Sequence, residues 1–151
     1  PTHGNTQPWR FKVYREKSRG KLSEKLGKLY KKLTPENLYE EEKLNKIMAR
    51  PFLSSVAIVV CMERGNNEKI PEIEEVEAVA CAIQNMCLTA TAYGLGSFWS
   101  SPKIIYSKEM NTYLGIRKQD KCLGILYLGY TTTDWPKGHR KPIEYLTDWN
   151  D

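Results

Sequence analysis

A long stretch without a charged residue runs from Ala78 to Ser101, directly after a cluster of glutamates. Apolar residues in and before this stretch recur at the spacing of one helix face: Val76, Val79, Ala80, Ile83, Met86, Cys87 and Ala90. The opposite face is small or neutral, and a helix that is apolar on nearly all sides is buried. The pattern predicts a long helix from Pro71 to Tyr93 that lies in the core or at a subunit interface. Gly94 or Gly96 is expected to end it in the left-handed conformation.

Three shorter segments have the pattern of strands. Runs of apolar and β-branched residues predict buried strands over Ser54–Met62 and Cys122–Tyr130. Alternation over residues 9–14 predicts a half-buried strand, with Trp9 and every second residue after it on the buried face. Gly124, inside the last strand, indicates close approach by a neighbouring group. The segment Ser97–Ser101 is predicted to be a short strand or a loop.

Three further helices are predicted from periodicity and capping signals. Residues 19–33 carry a leucine stripe opposite a row of lysines. A second helix is expected to restart at Pro35 and to continue to about Met48. A short helix is predicted over Lys108–Leu114, because Ser107 suits the N-cap position and a glycine follows the last residue.

Length, composition and net charge narrow the possible classes of protein but do not identify one. A length of 151 residues with 40% hydrophobic content indicates one globular domain. The formal net charge of +5 allows a nucleic-acid-binding module. However, Tyr30, the aromatic residue of this segment, belongs to the leucine stripe and not to the lysine face, so we favour a solvated helix face and expect no nucleic-acid partner. The long uncharged stretch contains Gln84 and Asn85, which argues against a membrane span.

The cysteines and histidines offer little catalytic chemistry. Four cysteines lie in apolar segments and form no Cys-x-x-Cys pair: Cys61, Cys81, Cys87 and Cys122. We therefore expect free, buried thiols, no metal site and a reducing, cytoplasmic location. With only His3 and His139, a histidine-based hydrolase is disfavoured. The sequence also lacks a phosphate loop and a G-x-G-x-x-G dinucleotide motif.

Two polar segments are candidates for ligand binding. The first residues offer closely spaced donors and acceptors at Thr2, His3, Asn5 and Gln7. These groups can hydrogen-bond their own backbone or face a polar ligand, and the sequence leaves both open. The basic group around Arg140 can likewise be an exposed tail or an anion-binding element.

Two motifs together resemble those of a known family. The segment PTHGNTQPWRF, residues 1–11, resembles the P-S-x-x-N-x-Q-P-W-x-F segment of the nitroreductase family. Residues 92–99, AYGLGSFW, resemble the end of that family's central helix and its G-L-G-x-x-W turn. The strand at residues 124–130 and the R-x-P at Arg140 also fit the family order. The resemblance covers nearly the whole chain.

The resemblance implies a fold, a chemistry and an assembly. The expected fold is α+β with three layers, in which helices flank a mixed, mainly antiparallel sheet and the long central helix lies at a homodimer interface. The expected cofactor is FMN. Hydride would pass from NAD(P)H through flavin N5 to a nitroaromatic, a quinone or a similar small acceptor, without a catalytic side chain from the protein. The alternatives are a flavin-binding protein without turnover and the basic nucleic-acid-binding module.

The resemblance also implies which residues contact the flavin. They are Thr2, His3, Asn5, Gln7, Trp99, Ser100, Ser101 and Arg140. The N-terminal group would lie along the ribityl chain and the ring, partly from the neighbouring subunit. The turn at Trp99–Ser101 would offer backbone N–H groups to the ring, and Arg140 would meet the phosphate. The family's R-R-S-x-R-like segment belongs before Pro1, so we expect residues 1–151 to be a single, N-terminally incomplete domain.

Overall fold

The computed structural model describes residues 1–135 and 137–150. Its four α-helices in these ranges are α1 Ser18–Leu33, α2 Glu41–Ala49, α3 Glu72–Ala92 and α4 Lys108–Leu114. Its four strands there are β1 Trp9–Arg15, β2 Val56–Met62, β3 Gly96–Ser100 and β4 Lys121–Gly129. Short 3₁₀ turns cover His3–Asn5, Glu36–Leu38, Arg50–Phe52, Lys103–Tyr106 and Ile143–Tyr145.

The strands form one sheet in the order β1-β2-β4-β3, and every pairing is antiparallel. β1 and β3 are therefore the two edges. Trp9 pairs with Met62, which pairs with Lys121, while Ser100 pairs with Ile125. This register places the start of β1 and the end of β3 toward the same end of the sheet.

Helices cover both faces of the sheet, which gives three layers. In β2, the odd-numbered residues from Ala57 to Cys61 join a buried cluster with α1, α2 and α4. The even-numbered residues from Ile58 to Met62 join a second cluster with α3. Successive strand residues face opposite sides, so the uniformly apolar run of β2 reflects burial on both faces. The predicted α+β fold with a mainly antiparallel sheet is confirmed.

The second helix is shorter than predicted. Residues 36–38 form only a 3₁₀ turn, and α2 begins at Glu41. The interruption is held by Tyr30, whose hydroxyl accepts a hydrogen bond from the Glu40 backbone N–H at 3.1 Å. The Tyr39 ring packs on the Tyr30 ring at 5.5 Å between centroids. The prediction of one continuous helix from Pro35 was wrong, because a contact ten residues away in sequence holds Glu40 extended.

α3 is buried on one face only within a single chain. Val79 and Ile83 are fully buried against β2 and β4. On the other face, Ile73 and Leu88 are each 59% exposed. The core alternative for this helix is therefore wrong for one chain, and the interface alternative stays a prediction. Among residues 1–135 and 137–150, no helix is long and apolar enough to cross a membrane.

The predicted helix ends are confirmed in detail. Gly94 takes the left-handed conformation with φ of 72°, and the Leu95 N–H donates to Ala90 O at 2.8 Å. The Ser107 hydroxyl accepts from the Met110 N–H at 3.1 Å and caps α4. Gly115 ends α4 with φ of 62°.

The predicted buried face of β1 was wrong beyond its first residue. Trp9 is half-buried against the α3 side, but Phe11 is 41% and Val13 57% exposed. β1 is an edge strand, and α3 covers mainly the neighbouring strands. Tyr14, on the opposite face, packs against the cluster beneath α1.

Candidate functional site

The N-terminal residues form a tight polar turn. Gly4, Asn5 and Gln7 all have positive φ, of 56°, 53° and 46°. The Thr2 hydroxyl accepts from the Gln7 N–H at 3.1 Å, and Gln7 Nε2 donates to Asn5 Oδ1 at 2.8 Å. Positive φ is uncommon outside glycine and often accompanies functional sites. The Thr2 contact is the backbone hydrogen bond of the first alternative, while the exposed side chains of Asn5 and Gln7 leave ligand contact as a prediction.

This turn is anchored at the start of α3. His3 Nδ1 pairs with Glu74 Oε2, and a Cβ at Gly4 would lie 2.8 Å from Ile70 Cδ1. On the strand side, Arg10 donates to Gln7 O at 2.9 Å and forms an ion pair with Glu63 at 2.8 Å. The turn is thus held from α3 and from β1, which presents its polar side chains from a rigid support.

Trp99 lies across a glycine in the next strand. Its indole Nε1 donates to Leu123 O at 3.2 Å. A Cβ built at Gly124, whose φ is 150°, would lie only 2.1 Å from this Nε1 atom. The close approach predicted at Gly124 is therefore confirmed, and the approaching group is the indole itself.

Ser100 is held by an arginine that the sequence argument missed. Ser100 is only 6% exposed, and Arg50 Nη1 donates to its hydroxyl at 2.8 Å. The Arg50 guanidinium also lies 5.3 Å from the Phe98 ring centroid. Arg50 follows α2 and precedes Pro51, and neither periodicity nor a motif distinguishes it there. Only the tertiary contact identifies it as part of the site.

Two clefts flank this arginine–serine contact. One has a volume of about 460 Å³ and is lined by Arg50, Ser97, Phe98 and Tyr127 among others. Burial raises the pKa of Tyr127 to about 12, although the charge of Arg50 opposes the shift, so the phenol remains protonated at neutral pH.

The other cleft, here called the apolar cleft, measures about 740 Å³. Its apolar lining comprises Leu33, Pro35, Leu38, Ile47, Pro102 and Ile104. Ser101 lies on its wall, with Lys43 and Lys103 also lining it. A concave, mainly apolar site with a few polar groups is typical of small-molecule binding.

Arg140 lies in the exposed tail after β4. Its Nη1 donates to the carbonyl of the adjacent His139 at 2.9 Å. Within the described ranges it forms no hydrogen bond or ion pair with another predicted site residue. Its position gives no preference between the tail and anion-binding alternatives.

One chain does not bring the two main groups together. Thr2–Gln7 precede β1, whereas Trp99–Ser101 end β3, and these strands are opposite edges of the sheet. Three strand spacings correspond to about 14 Å. The N-terminal turn and the end of β3 at Trp99–Ser101 are therefore separate in the single chain, and we call them the two predicted half-sites.

Comparison with known proteins agrees with the motifs. A family model described as the nitroreductase family matches residues 1–130. YdjA of Escherichia coli strain K12, provisionally named an NAD(P)H nitroreductase, is 30% identical over 129 residues, which is 85% of this chain and 68% of YdjA. YfhC of Bacillus subtilis strain 168, with the same provisional name, is 30% identical over 95% of this chain and 73% of YfhC.

Solved structures agree in fold. A nitroreductase-like family protein from Bacillus cereus superposes with a TM-score of 0.78 at 28% identity, covering 98% of this chain and 76% of that one. The FMN-dependent nitroreductase NfnB from Mycobacterium smegmatis, solved with NADPH, has a TM-score of 0.71 at 17% identity over all of this chain and 82% of NfnB. The second likeness is evidence for the fold alone.

Proposed function

The chain belongs to the nitroreductase family, and on that premise we propose that it is an FMN-dependent oxidoreductase. It would take hydride from NAD(P)H and pass electrons to a small organic acceptor of the nitroaromatic or quinone class. The names of its relatives as NAD(P)H nitroreductases and the FMN in related structures support this proposal.

The observation that carries the proposal is the position of Arg50. Within the described ranges its guanidinium has no carboxylate partner, and it donates to Ser100 in the turn that the family resemblance places against the flavin. A fixed cation at this point would favour the negative charge that develops on a reduced flavin bound beside it. The donor set of guanidinium, hydroxyls and backbone N–H groups therefore fits FMN.

When bound, FMN supplies the hydride and electron transfer, and the protein binds and orients it. Trp99, held over Gly124, sets the path of the chain that leads to Ser101. Arg50 holds the Ser100 hydroxyl. Thr2, His3, Asn5 and Gln7 would complete the site from a second copy of the chain, since one copy holds them at the opposite sheet edge.

The apolar cleft is a suitable entrance for the acceptor. Ser101 and Pro102 line it, so the proposed flavin-binding turn forms one of its walls. Leu38 and Ile47 offer apolar contact to an aromatic ring, while Lys43 and Lys103 can attract nitro or quinone oxygens. This geometry favours a planar, partly polar acceptor.

The test is an Arg50 series assayed for FMN affinity and for anaerobic reduction by NADPH. Arg50→Gln should weaken FMN binding about tenfold to hundredfold, since a hydrogen bond from a charged donor is worth roughly 1.5–3 kcal/mol. It should also shift the flavin midpoint potential to a more negative value. Arg50→Lys should recover part of both, because it keeps the charge but loses the planar fork.

Lys46→Gln is the matched control, since Lys46 is an exposed cation one turn earlier, paired with Glu42 at 2.5 Å. It should leave both measurements unchanged. Wild-type protein that binds no FMN would overturn the proposed function. Protein that binds FMN but is never reduced by NADH or NADPH would instead be a flavin-binding protein without turnover. If Arg50→Gln keeps the wild-type FMN affinity and flavin midpoint potential, Arg50 is not part of the flavin site.

A further inference from the structure

The cleft that contains Arg50 continues past the edge of the proposed flavin site. It shares Leu53, Ser54, Gly129 and Tyr130 with a second pocket of about 460 Å³. That pocket lies where β1 ends and β2 begins, and it is lined by Arg15 and Arg19. We call the combined space the arginine cleft, defined by Arg15, Arg19, Arg50, Leu53, Ser54 and Tyr130.

The three arginines of this cleft are not neutralised by ion pairs. Within residues 1–135 and 137–150, none of them lies in a salt bridge. By contrast, Arg10, Arg64 and Arg117 each form an ion pair with a carboxylate. Glu16 is the one described acid in the lining, which leaves the cleft with a net positive charge.

Two of the arginines are held in place by neutral partners. Arg19 donates through Nε to Glu16 O at 3.3 Å and through Nη1 to Ser54 O. Arg50 donates through Nη1 to Ser100 Oγ at 2.8 Å. Each guanidinium therefore has a defined orientation and keeps further N–H groups for a ligand. Arrangement before binding lowers the entropic cost of holding an anion.

A buried hydroxyl in the same cleft also lacks a partner. Ser54 Oγ is buried and forms no hydrogen bond with any residue of the described ranges. An unsatisfied buried polar group is costly, so such an atom points to a ligand or water that completes it. Ser54 lines both halves of the arginine cleft, so this unpartnered hydroxyl belongs to a residue that the two pockets share.

The rim of the cleft is apolar and open. Phe52 is 56%, Leu53 82% and Tyr130 80% exposed. Exposed aromatic rings beside free guanidinium groups suit a ligand that combines phosphates with a planar base. Neither an inorganic anion nor a hydrophobic acceptor alone would use both features.

We propose that the arginine cleft binds the adenosine phosphate part of the nicotinamide dinucleotide donor, with Arg15 and Arg19 contacting its phosphate groups. The Arg50 end of the cleft then lies toward the flavin-binding turn, which is where the nicotinamide must reach. The identity of the donor rests on the proposed function. The unpaired arginines, the unpartnered Ser54 hydroxyl and the exposed aromatic rings are observations of the part of the chain that the structure describes and do not depend on the proposed function.

The first test is equilibrium binding of 2′,5′-ADP to the FMN-loaded protein by titration calorimetry. Arg15→Gln and Arg19→Gln should each lower the affinity about tenfold, and the double variant should lower it further. Lys17→Gln is the control, because Lys17 lies between the two arginines in sequence but does not line the cleft. Equal affinity in wild type and double variant overturns the inference, provided that the variant melts like wild type.

The second test separates the possible sources of the phosphate. If the variants raise KM for NADPH and NADH alike, with kcat retained, the arginines bind the pyrophosphate shared by both donors. If only KM for NADPH rises, they bind its additional phosphate. If FMN binding weakens as strongly while riboflavin binding does not, the cleft holds the flavin phosphate and the inference is wrong.

The inference and the proposed function fail in different ways. Loss of 2′,5′-ADP binding is measured without turnover, so it can support the cleft even if no acceptor is ever reduced. Conversely, the double variant could reduce FMN normally with unchanged KM values and unchanged 2′,5′-ADP affinity. That result would support the proposed oxidoreductase function and overturn the inference about the arginine cleft.

Discussion

At the scale of single residues, the candidate site depends on a few unusual contacts. Arg50 donates a hydrogen bond to the hydroxyl of Ser100 and, within the described ranges, pairs with no carboxylate. Trp99 takes its position only because Gly124 has no side chain. Both contacts join residues far apart in sequence, and each aligns a different part of the turn that ends β3.

Gly124→Ala should destabilise the protein and displace Trp99. The added Cβ would lie 2.1 Å from the indole Nε1, at a residue with φ of 150°. Overpacking and backbone strain together are expected to cost about 2–4 kcal/mol. Urea unfolding measures the loss, and the tryptophan emission spectrum reports the indole's surroundings.

Gly115→Ala is the control for backbone conformation alone. Gly115 also has positive φ, of 62°, but a Cβ there meets nothing within 4 Å. Its cost should be only about 1 kcal/mol. Similar stability for the two variants would show that the indole does not lie over Gly124.

At the scale of elements, buried charges hold the loop after β2 against its neighbours. Glu75 of α3 accepts from Arg64 Nη1 at 2.6 Å and from the Gly65 N–H at 3.0 Å. Asp120, before β4, accepts from the Arg64 N–H at 2.9 Å and from Arg117 Nη2 at 2.8 Å. These contacts set the start of α3, against which the N-terminal turn packs.

Asp120 should contribute stability that disappears in acid. Burial acts to raise the pKa of Asp120, but hydrogen bonds from Arg117 and from two backbone N–H groups outweigh it and hold the pKa below the ordinary 3.8. A depressed folded-state pKa stabilises the fold above the unfolded value, and this contribution is lost as pH falls through the folded value. Asp120→Asn should therefore cost about 1.5–3 kcal/mol at pH 7.

The difference between wild type and Asp120→Asn should shrink below pH 3.8 in urea unfolding experiments. Glu63→Gln is the comparison, since Glu63 forms a half-exposed pair with Arg10 and such pairs contribute little. A deficit of Asp120→Asn that is the same at every pH would mean that packing, not charge, is responsible.

The lysine-rich helix α1 is also explained at this scale. Lys28 pairs with Glu24 at 2.5 Å and Lys32 with Glu109 at 3.1 Å. Lys25 lies 5.2 Å from the Tyr113 ring centroid. These contacts within the protein support the solvated-face interpretation over the nucleic-acid-binding module.

At the scale of the whole molecule, one copy leaves one face of α3 uncovered and keeps the two groups of predicted flavin contacts apart. The two half-sites lie at opposite sheet edges, and Leu88 on α3 is 59% exposed. A second copy packed against α3 would cover this face and could bring the N-terminal turn of one chain to the Trp99–Ser101 turn of the other. The homodimer remains a prediction that these features favour.

Leu88→Arg should convert the predicted dimer to folded monomers that bind FMN poorly, because it places a charge in the contact but not in the core. Light scattering after gel filtration gives the mass, and the melting temperature shows whether the chain is folded. Leu38→Arg is the control for the mass and the melting temperature only, because Leu38 is similarly exposed, at 60%, but lines the apolar cleft. Monomeric wild-type protein would make the dimer prediction wrong.

The sequence by itself determined most of the elements, the caps of α4 and the family. Ser107 and Gly115 mark the two ends of α4 through contacts within a few residues. The uniformly apolar run of β2 indicates burial on both faces, whatever the position of the strand in the sheet. The two family motifs could be recognised because each is a short segment of contiguous residues. Such features depend on local geometry, which neighbouring residues specify.

Only the tertiary structure decided which distant residues meet. It brought Arg50 to Ser100, gathered Arg15 and Arg19 beside the same cleft, and interrupted the second helix at Glu40 through Tyr30. It also separated the predicted flavin contacts into two half-sites. These outcomes depend on the packing of helices and on the order of strands in the sheet, so no local pattern could specify them.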